Sequence, residues 1–102
     1  SVAAQIGGVT SAHYAASKAG LIGLTHAYAS QLAKTQIRVN AIAPALVATD
    51  MVVNGLGASP SRLPIGRFGT LEEAGETAVF LAKNDFITGQ TVNINGGLYM
   101  SS

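Results

Sequence analysis

The sequence predicts an α/β chain that forms part of a doubly wound parallel sheet, and three observations predict it. An alanine-rich stretch, His13 to Lys34, carries large apolar residues at Leu21, Ile22, Leu24, Tyr28 and Leu32 and reads as a long helix. Two short β-branched segments follow, Ile37 to Ile42 and Gln90 to Ile94. Between them a second helix opens at Thr70. The order strand end–helix–strand–lid–helix–strand implies right-handed crossovers and parallel pairing, with helices layered on a sheet.

Each element has a local cause. Ser1 to Gly8 is small and glycine-bearing and reads as a strand end entering a loop. Thr10 or Ser11 can cap the long helix, because a hydroxyl there accepts from the free amides of the first turn. Lys18 is that helix's only charge before Lys34, so the helix is expected to be covered on two sides. Gly20 and Gly23 each weaken a helix by roughly 1 kcal/mol relative to alanine, which points to close approach of another backbone. Pro44 ends the first strand. Ala45 to Pro60 mixes Gly, Asn, Ser and Pro with short apolar patches, a loop or lid signature. Thr70-Leu-Glu72-Glu73 supplies a hydroxyl cap and first-turn acids. That helix should run to about Lys83 with Ala74, Ala78, Val79, Leu81 and Ala82 inward. Asn84 to Gly89 turns, and Asn95-Gly96-Gly97 closes the last strand.

Composition narrows the function classes. Charged residues make up 11% of the 102, against roughly 25% in typical globular proteins. So few charges suggest that much of the surface is buried against other polypeptide. The net charge of +1 gives no sign of nucleic-acid or membrane-surface attraction. The absence of cysteine excludes disulfides and thiolate metal sites and fits a cytoplasmic setting. No apolar run approaches the roughly eighteen residues of a membrane span. The first residue is Ser1 rather than methionine, so a fragment of a longer chain is expected.

The chemistry-bearing pair is Tyr14 and Lys18, four residues apart and so on one helix face. A nearby ammonium favours the phenolate, which brings a tyrosine toward general acid–base work near neutral pH. Ser1, thirteen residues before Tyr14, could hydrogen-bond the same oxygen that the phenol protonates. Alone, Tyr-x-x-x-Lys also describes an amphipathic helix with a snorkelling lysine. A Ser1–His13–Asp50 hydrolase lacks a nucleophile elbow, and His13 and His26 have no carboxylate cluster between them, so no metal site is expected.

The surroundings of the pair carry more. Ser1-Val-Ala-Ala-Gln-Ile-Gly-Gly8, Tyr14-Ala-Ala-Ser-Lys18-Ala-Gly-Leu21, Ile37-Arg-Val-Asn-Ala-Ile-Ala-Pro44, Thr49-Asp-Met51 and Asn95-Gly-Gly-Leu-Tyr-Met100 follow in order. The run resembles the C-terminal part of the short-chain dehydrogenase/reductase family, and within it is most similar to the 3-oxoacyl-(acyl-carrier-protein) reductases. The resemblance covers essentially all 102 residues. It implies the C-terminal catalytic half of a single Rossmann-type domain, with the dinucleotide-binding half lying N-terminal to Ser1. None of Gly7-Gly8, Gly55-x-Gly57 or Gly96-Gly97 has phosphate-loop spacing between a strand and a helix.

The resemblance also implies roles. Tyr14 would donate the proton to a ketone oxygen, Lys18 would lower the phenol's pKa and bind the nicotinamide ribose, and Ser1 would hold the substrate oxygen. Pro44, Ala45, Val47 and Thr49 match the segment that holds the nicotinamide carboxamide, with Ala45 where the family usually has glycine. Alanine fits there if its backbone keeps a negative φ. Met51 to Arg62 matches the substrate lid. The implied cofactor is NADP(H) ahead of NAD(H), the substrate a small-molecule or carrier-protein-bound acyl group, and the assembly a homotetramer. Nucleic acid and membrane are not implied. Arg62 and Arg67 would either meet an acidic carrier protein or phosphopantetheine, or serve as solvated or structural arginines. Two other functions stay open: a non-catalytic assembly polypeptide, and a family member acting on a sugar, steroid or polyol.

Overall fold

The structure is a computed structural model that describes residues 12–50, 53–54 and 59–100. Ser1 and the approach to the long helix lie outside the described residues, as does the Tyr14 side chain. Helix α1 spans Ala12–Leu32 and tightens into a 3-10 turn at Ala33–Thr35. Strand β1 (Ala41–Pro44) follows, then a 3-10 turn at Pro60–Arg62, helix α2 (Leu71–Lys83) and strand β2 (Thr91–Ile94). β1 and β2 pair in parallel with Ala41 opposite Thr91 and Pro44 opposite Ile94. The expected α/β class and parallel pairing are therefore present.

The first strand starts later than the β-branched run at Ile37 suggests. Ahead of Ala41 the two segments are joined largely through side chains, beside one backbone bond from the Gly89 amide to the Val39 carbonyl at 2.8 Å. Asn40 Nδ2 donates to the Ile87 carbonyl at 3.0 Å, the Gln90 amide donates to Asn40 Oδ1 at 3.1 Å, and the Val39 amide donates to Thr88 Oγ1 at 3.1 Å. Gly89 turns there with φ +73°. Side-chain bonds of this kind compete with a regular ladder.

Arg38 fastens the same region to α2. Its guanidinium donates to the carbonyls of Leu81 at 2.6 Å and Ala82 at 2.7 Å. The last carbonyls of a helix lack intrahelical partners and carry partial negative charge, so a cation there meets both needs. At the other end of α2, Thr70 Oγ1 accepts from the Glu73 amide at 3.0 Å and Glu73 Oε1 accepts from the Thr70 amide at 2.9 Å. This is the reciprocal cap that the sequence predicts.

Helical geometry selects narrower buried faces than expected. On α2, Leu81 is buried and Ala74 and Thr77 are half-buried, whereas Ala78, Val79 and Ala82 are exposed. Val79 lies two residues before Leu81, so it points about 160° away around a helix of 3.6 residues per turn. On α1 the seam is Lys18, Ile22, Thr25, Ala29 and Leu32, with Thr25 and Ala29 buried. Ala29 rests against the Gly89 turn, where an added Cβ would lie 3.4 Å from its own. Leu21, Leu24 and Tyr28 are exposed, so one side of α1 is covered by described residues rather than two. Gly20 and Gly23 also belong to open faces. Among the described residues nothing lies within 4 Å of a Cβ built at either, so the expected close approach does not occur there. No helix among the described residues is long and apolar enough to cross a membrane.

Candidate active site

Parallel strands present their C-terminal ends to one side of a sheet, where α/β folds commonly bind ligands. A cavity of about 350 Å³ opens there in this chain. Lys18 and Leu21 come from α1, Ile42 to Ala45 from the end of β1, Asn93 and Asn95 from β2 and the turn after it, and Tyr99 from the tail. Its walls are largely apolar, with one ammonium, two amides and the hydroxyl-bearing side chains of Ser17 and Tyr99. The sequence-predicted Lys18, Pro44 and Ala45 thus share one cavity. Lys18 Nζ stands 5.6 Å from the Tyr99 ring centroid.

Val47 and Thr49 lie on the segment leaving that cavity. Ala45, Leu46 and Val47 are buried. Ala45 avoids positive φ, as its substitution for glycine requires, and the left-handed residue is instead Leu46 at φ 56°. A leucine in that region is strained and persists only where its surroundings hold it. Gly69 does the holding. Its amide donates to the Leu46 carbonyl at 3.1 Å, and its carbonyl accepts from the Ala48 amide at 2.7 Å. The Thr49 amide then donates to the Val47 carbonyl at 2.7 Å in a tight turn. Backbone geometry at Val47 and Thr49 is therefore fixed from the far side by the chain that leads into α2.

That chain is anchored by charge. Arg67 meets both carboxylate oxygens of Glu73 at 2.9 Å and also donates to the Phe68 carbonyl at 3.1 Å. The Arg67 hydrogen bond, then the Thr70 backbone amide, lowers the Glu73 carboxyl to about 2 from its ordinary 4.5. The same partner raises the Arg67 guanidinium. Of the two readings of Arg67, the structural one fits this pairing. From the lid, Met51 lies outside the described residues, and Ser59 caps the Pro60–Arg62 turn by accepting from the Ser61 amide.

Sequence reasoning missed Tyr99, Asn95 and Ile42 as lining residues. The available signal was Asn95-Gly96-Gly97: a turn directly after a strand returns the next residues to that strand's end. Both glycines have positive φ, +59° and +87°. Among the described residues no group of three or more His, Asp or Glu could hold a metal ion.

Comparison with known proteins identifies the family. Residues 1–99 match the family described as enoyl-(acyl carrier protein) reductase. A 3-oxoacyl-[acyl-carrier-protein] reductase of Synechocystis is 45% identical over 98% of this chain and 42% of its own length. The Thermotoga maritima reductase of the same name is 45% identical over 84% of this chain and 37% of its own length. That of Staphylococcus aureus is 41% identical over 98% of this chain and 43% of its own length. The chain thus spans about two fifths of the length of these relatives, in their C-terminal part. With the residue pattern carried along its whole length, this chain belongs to the short-chain dehydrogenase/reductase family, in the part that bears the Tyr-x-x-x-Lys pair.

Proposed function

We propose that the complete protein is an NAD(P)H-dependent reductase of a 3-oxoacyl thioester carried by acyl carrier protein, and that this chain is the C-terminal half of its doubly wound Rossmann-type domain. The observation that carries the reading is the strand-end cavity into which α1 delivers Lys18 beside the Pro44–Ala45 turn. A nicotinamide and its ribose suit that cavity: apolar walls accept the ring, and an ammonium suits a hydroxyl-bearing sugar. NADP(H) is the expected form ahead of NAD(H).

Bound dinucleotide supplies the hydride to the ketone carbon. Negative charge then develops on the carbonyl oxygen, where placed donors stabilise the transition state most. Tyr14 gives that oxygen its proton, Ser1 holds it by hydrogen bonding, and Lys18 favours the phenolate left behind. The product is the 3-hydroxyacyl thioester. Val47 and Thr49 orient the carboxamide through the backbone that Gly69 pins. The outward face of α1, with Leu24 and Tyr28 each about half exposed, suits packing against a second copy, and a cytoplasmic homotetramer is the proposed assembly. Light scattering at micromolar concentration should give four copies; a monomer would refute this.

A second reading follows from the matched family's own description, reduction of the carbon–carbon double bond of an enoyl thioester. The three relatives' names favour the ketone. NADPH consumption by the complete protein separates the two. The proposal expects turnover with a 3-oxoacyl thioester and little with the 2-enoyl thioester; the opposite preference overturns it.

A further inference from the structure

The Lys18 ammonium needs an explanation for its position. Lysine is a point charge on a flexible four-carbon stem, yet its nitrogen sits at the cavity against an aromatic ring. Among the described residues no carboxylate lies within salt-bridge distance of it. The Tyr99 ring centroid, 5.6 Å away, is within the range at which a ring face attracts a cation.

The backbone that carries the ring is held by a built turn. Asn95 is buried, and its Nδ2 donates to the Tyr99 carbonyl at 3.1 Å. Its Oδ1 accepts from the Gly97 amide at 3.0 Å, and its carbonyl accepts from the Leu98 amide at 3.0 Å. Gly96 and Gly97 take left-handed φ, and a Cβ at Gly97 would lie 3.2 Å from Pro64. The chain therefore reverses after β2 and returns Tyr99 to the strand ends, opposite α1.

We propose that Tyr99 is a positioning residue for Lys18: its ring holds the ammonium at the cavity without neutralising it, and the Asn95–Gly97 turn holds the backbone that carries the ring. A carboxylate in the same place would fix the lysine equally well but cancel the charge that a phenolate and a ribose need. The inference rests on the reading of Lys18 as a dinucleotide-binding residue.

NADPH dissociation constants of the complete protein test it in a double-mutant cycle of Tyr99→Leu and Lys18→Met. Tyr99→Leu should weaken NADPH binding roughly two- to fivefold when Lys18 is present, the range an exposed cation–ring contact allows. In the Lys18→Met background it should weaken binding no further, and Tyr99→Phe, which keeps the ring, should restore the affinity. Equal weakening in both backgrounds would show packing alone and overturn the proposal, as would no weakening beside an intact Lys18. If Lys18→Met itself leaves NADPH affinity unchanged, the reading of Lys18 fails and the proposal falls with it. A folding defect in Tyr99→Leu leaves a second readout. In protein carrying ¹³Cε-lysine, the Lys18 ε-protons should show an upfield ring-current shift that persists in Tyr99→Phe. An unshifted signal overturns the proposal without touching the assigned reaction.

Discussion

Arg38 joins two elements through one side chain. Its fork reaches the Leu81 and Ala82 carbonyls together, and its contact with Asp85 is long, at 3.7 Å, and almost fully exposed on the acidic side. The carbonyl bonds therefore matter more than the ion pair. Lysine cannot reproduce the planar fork, so Arg38→Lys should destabilise the complete protein by about 1.5–3 kcal/mol, the range for hydrogen bonds from charged groups. Urea-denaturation midpoints check this, and an unchanged midpoint would show that the carbonyls find other partners. Glu73 gives a pH-dependent counterpart. Its folded carboxyl titrates near 2 against an ordinary 4.5. A depressed carboxylate contributes stability that is complete above the ordinary value and is lost as pH falls through the folded value. The stability gap between the unsubstituted protein and Glu73→Gln should therefore be full at neutral pH and shrink between pH 4.5 and about 2. A gap constant over that window would contradict the role of the Arg67 pair. Sequence alone did not settle Arg67, because a guanidinium near a helix start can serve a partner or its own chain. It lies six positions before Glu73, and only the return of the chain into the capped turn brings them together.

At the scale of elements, period and cap chemistry were legible and faces were less so. Thr70 and Glu73 announce the start of α2 because capping needs a hydroxyl and a carboxylate three residues apart, and both bonds are present. The start of β1 was not legible: Ile37 and Val39 suit a strand, but Asn40 and Thr88 divert the backbone bonds there. Nor does a sequence reveal that Leu46, rather than the alanine in the glycine position, takes the left-handed backbone. That depends on Gly69, which lies far along the chain. The turn after β2 tests how tightly these elements are registered. A Cβ at Gly96 would meet Ile65 Cγ2 at 2.7 Å, at a φ of +59°. A non-glycine residue in that conformation costs about 1–2 kcal/mol before the contact is counted. Gly96→Ala should lower stability by at least about that much. It should also weaken NADPH binding, since Asn95 and Tyr99 must shift. A variant with unchanged melting temperature and affinity would show that the turn does not fix the site.

On the whole-molecule scale, the described surface explains the low charge content. Leu21, Leu71, Phe86 and Met100 are 64%, 65%, 99% and 82% exposed. Such residues are normal singly; several together fit the proposal that other polypeptide covers part of this surface. Composition gave that expectation, yet it could not say which faces, because helical rotation and sheet position decide them. Residues 1–102 expressed alone should not bind NADPH or reduce a 3-oxoacyl thioester, because they offer no phosphate-loop glycine spacing. A cooperatively melting monomer of these residues that oxidises NADPH would refute the division of labour between the two halves. The site was legible in part for the same reason. Lys18 and Pro44 sit on regular elements whose order the sequence dictates, and Ala45 directly follows one, whereas Tyr99 reaches the cavity through a turn.

The central claim is that Tyr14 supplies the proton in ketone reduction, and Tyr14→Phe in the complete protein tests it most directly. Positioned general acids contribute roughly 10²–10⁴-fold. Turnover of a 3-oxoacyl thioester should fall by that factor while the NADPH dissociation constant stays within about twofold, since the phenylalanine keeps the ring and Lys18 is untouched. Turnover near that of the unsubstituted protein would contradict the account.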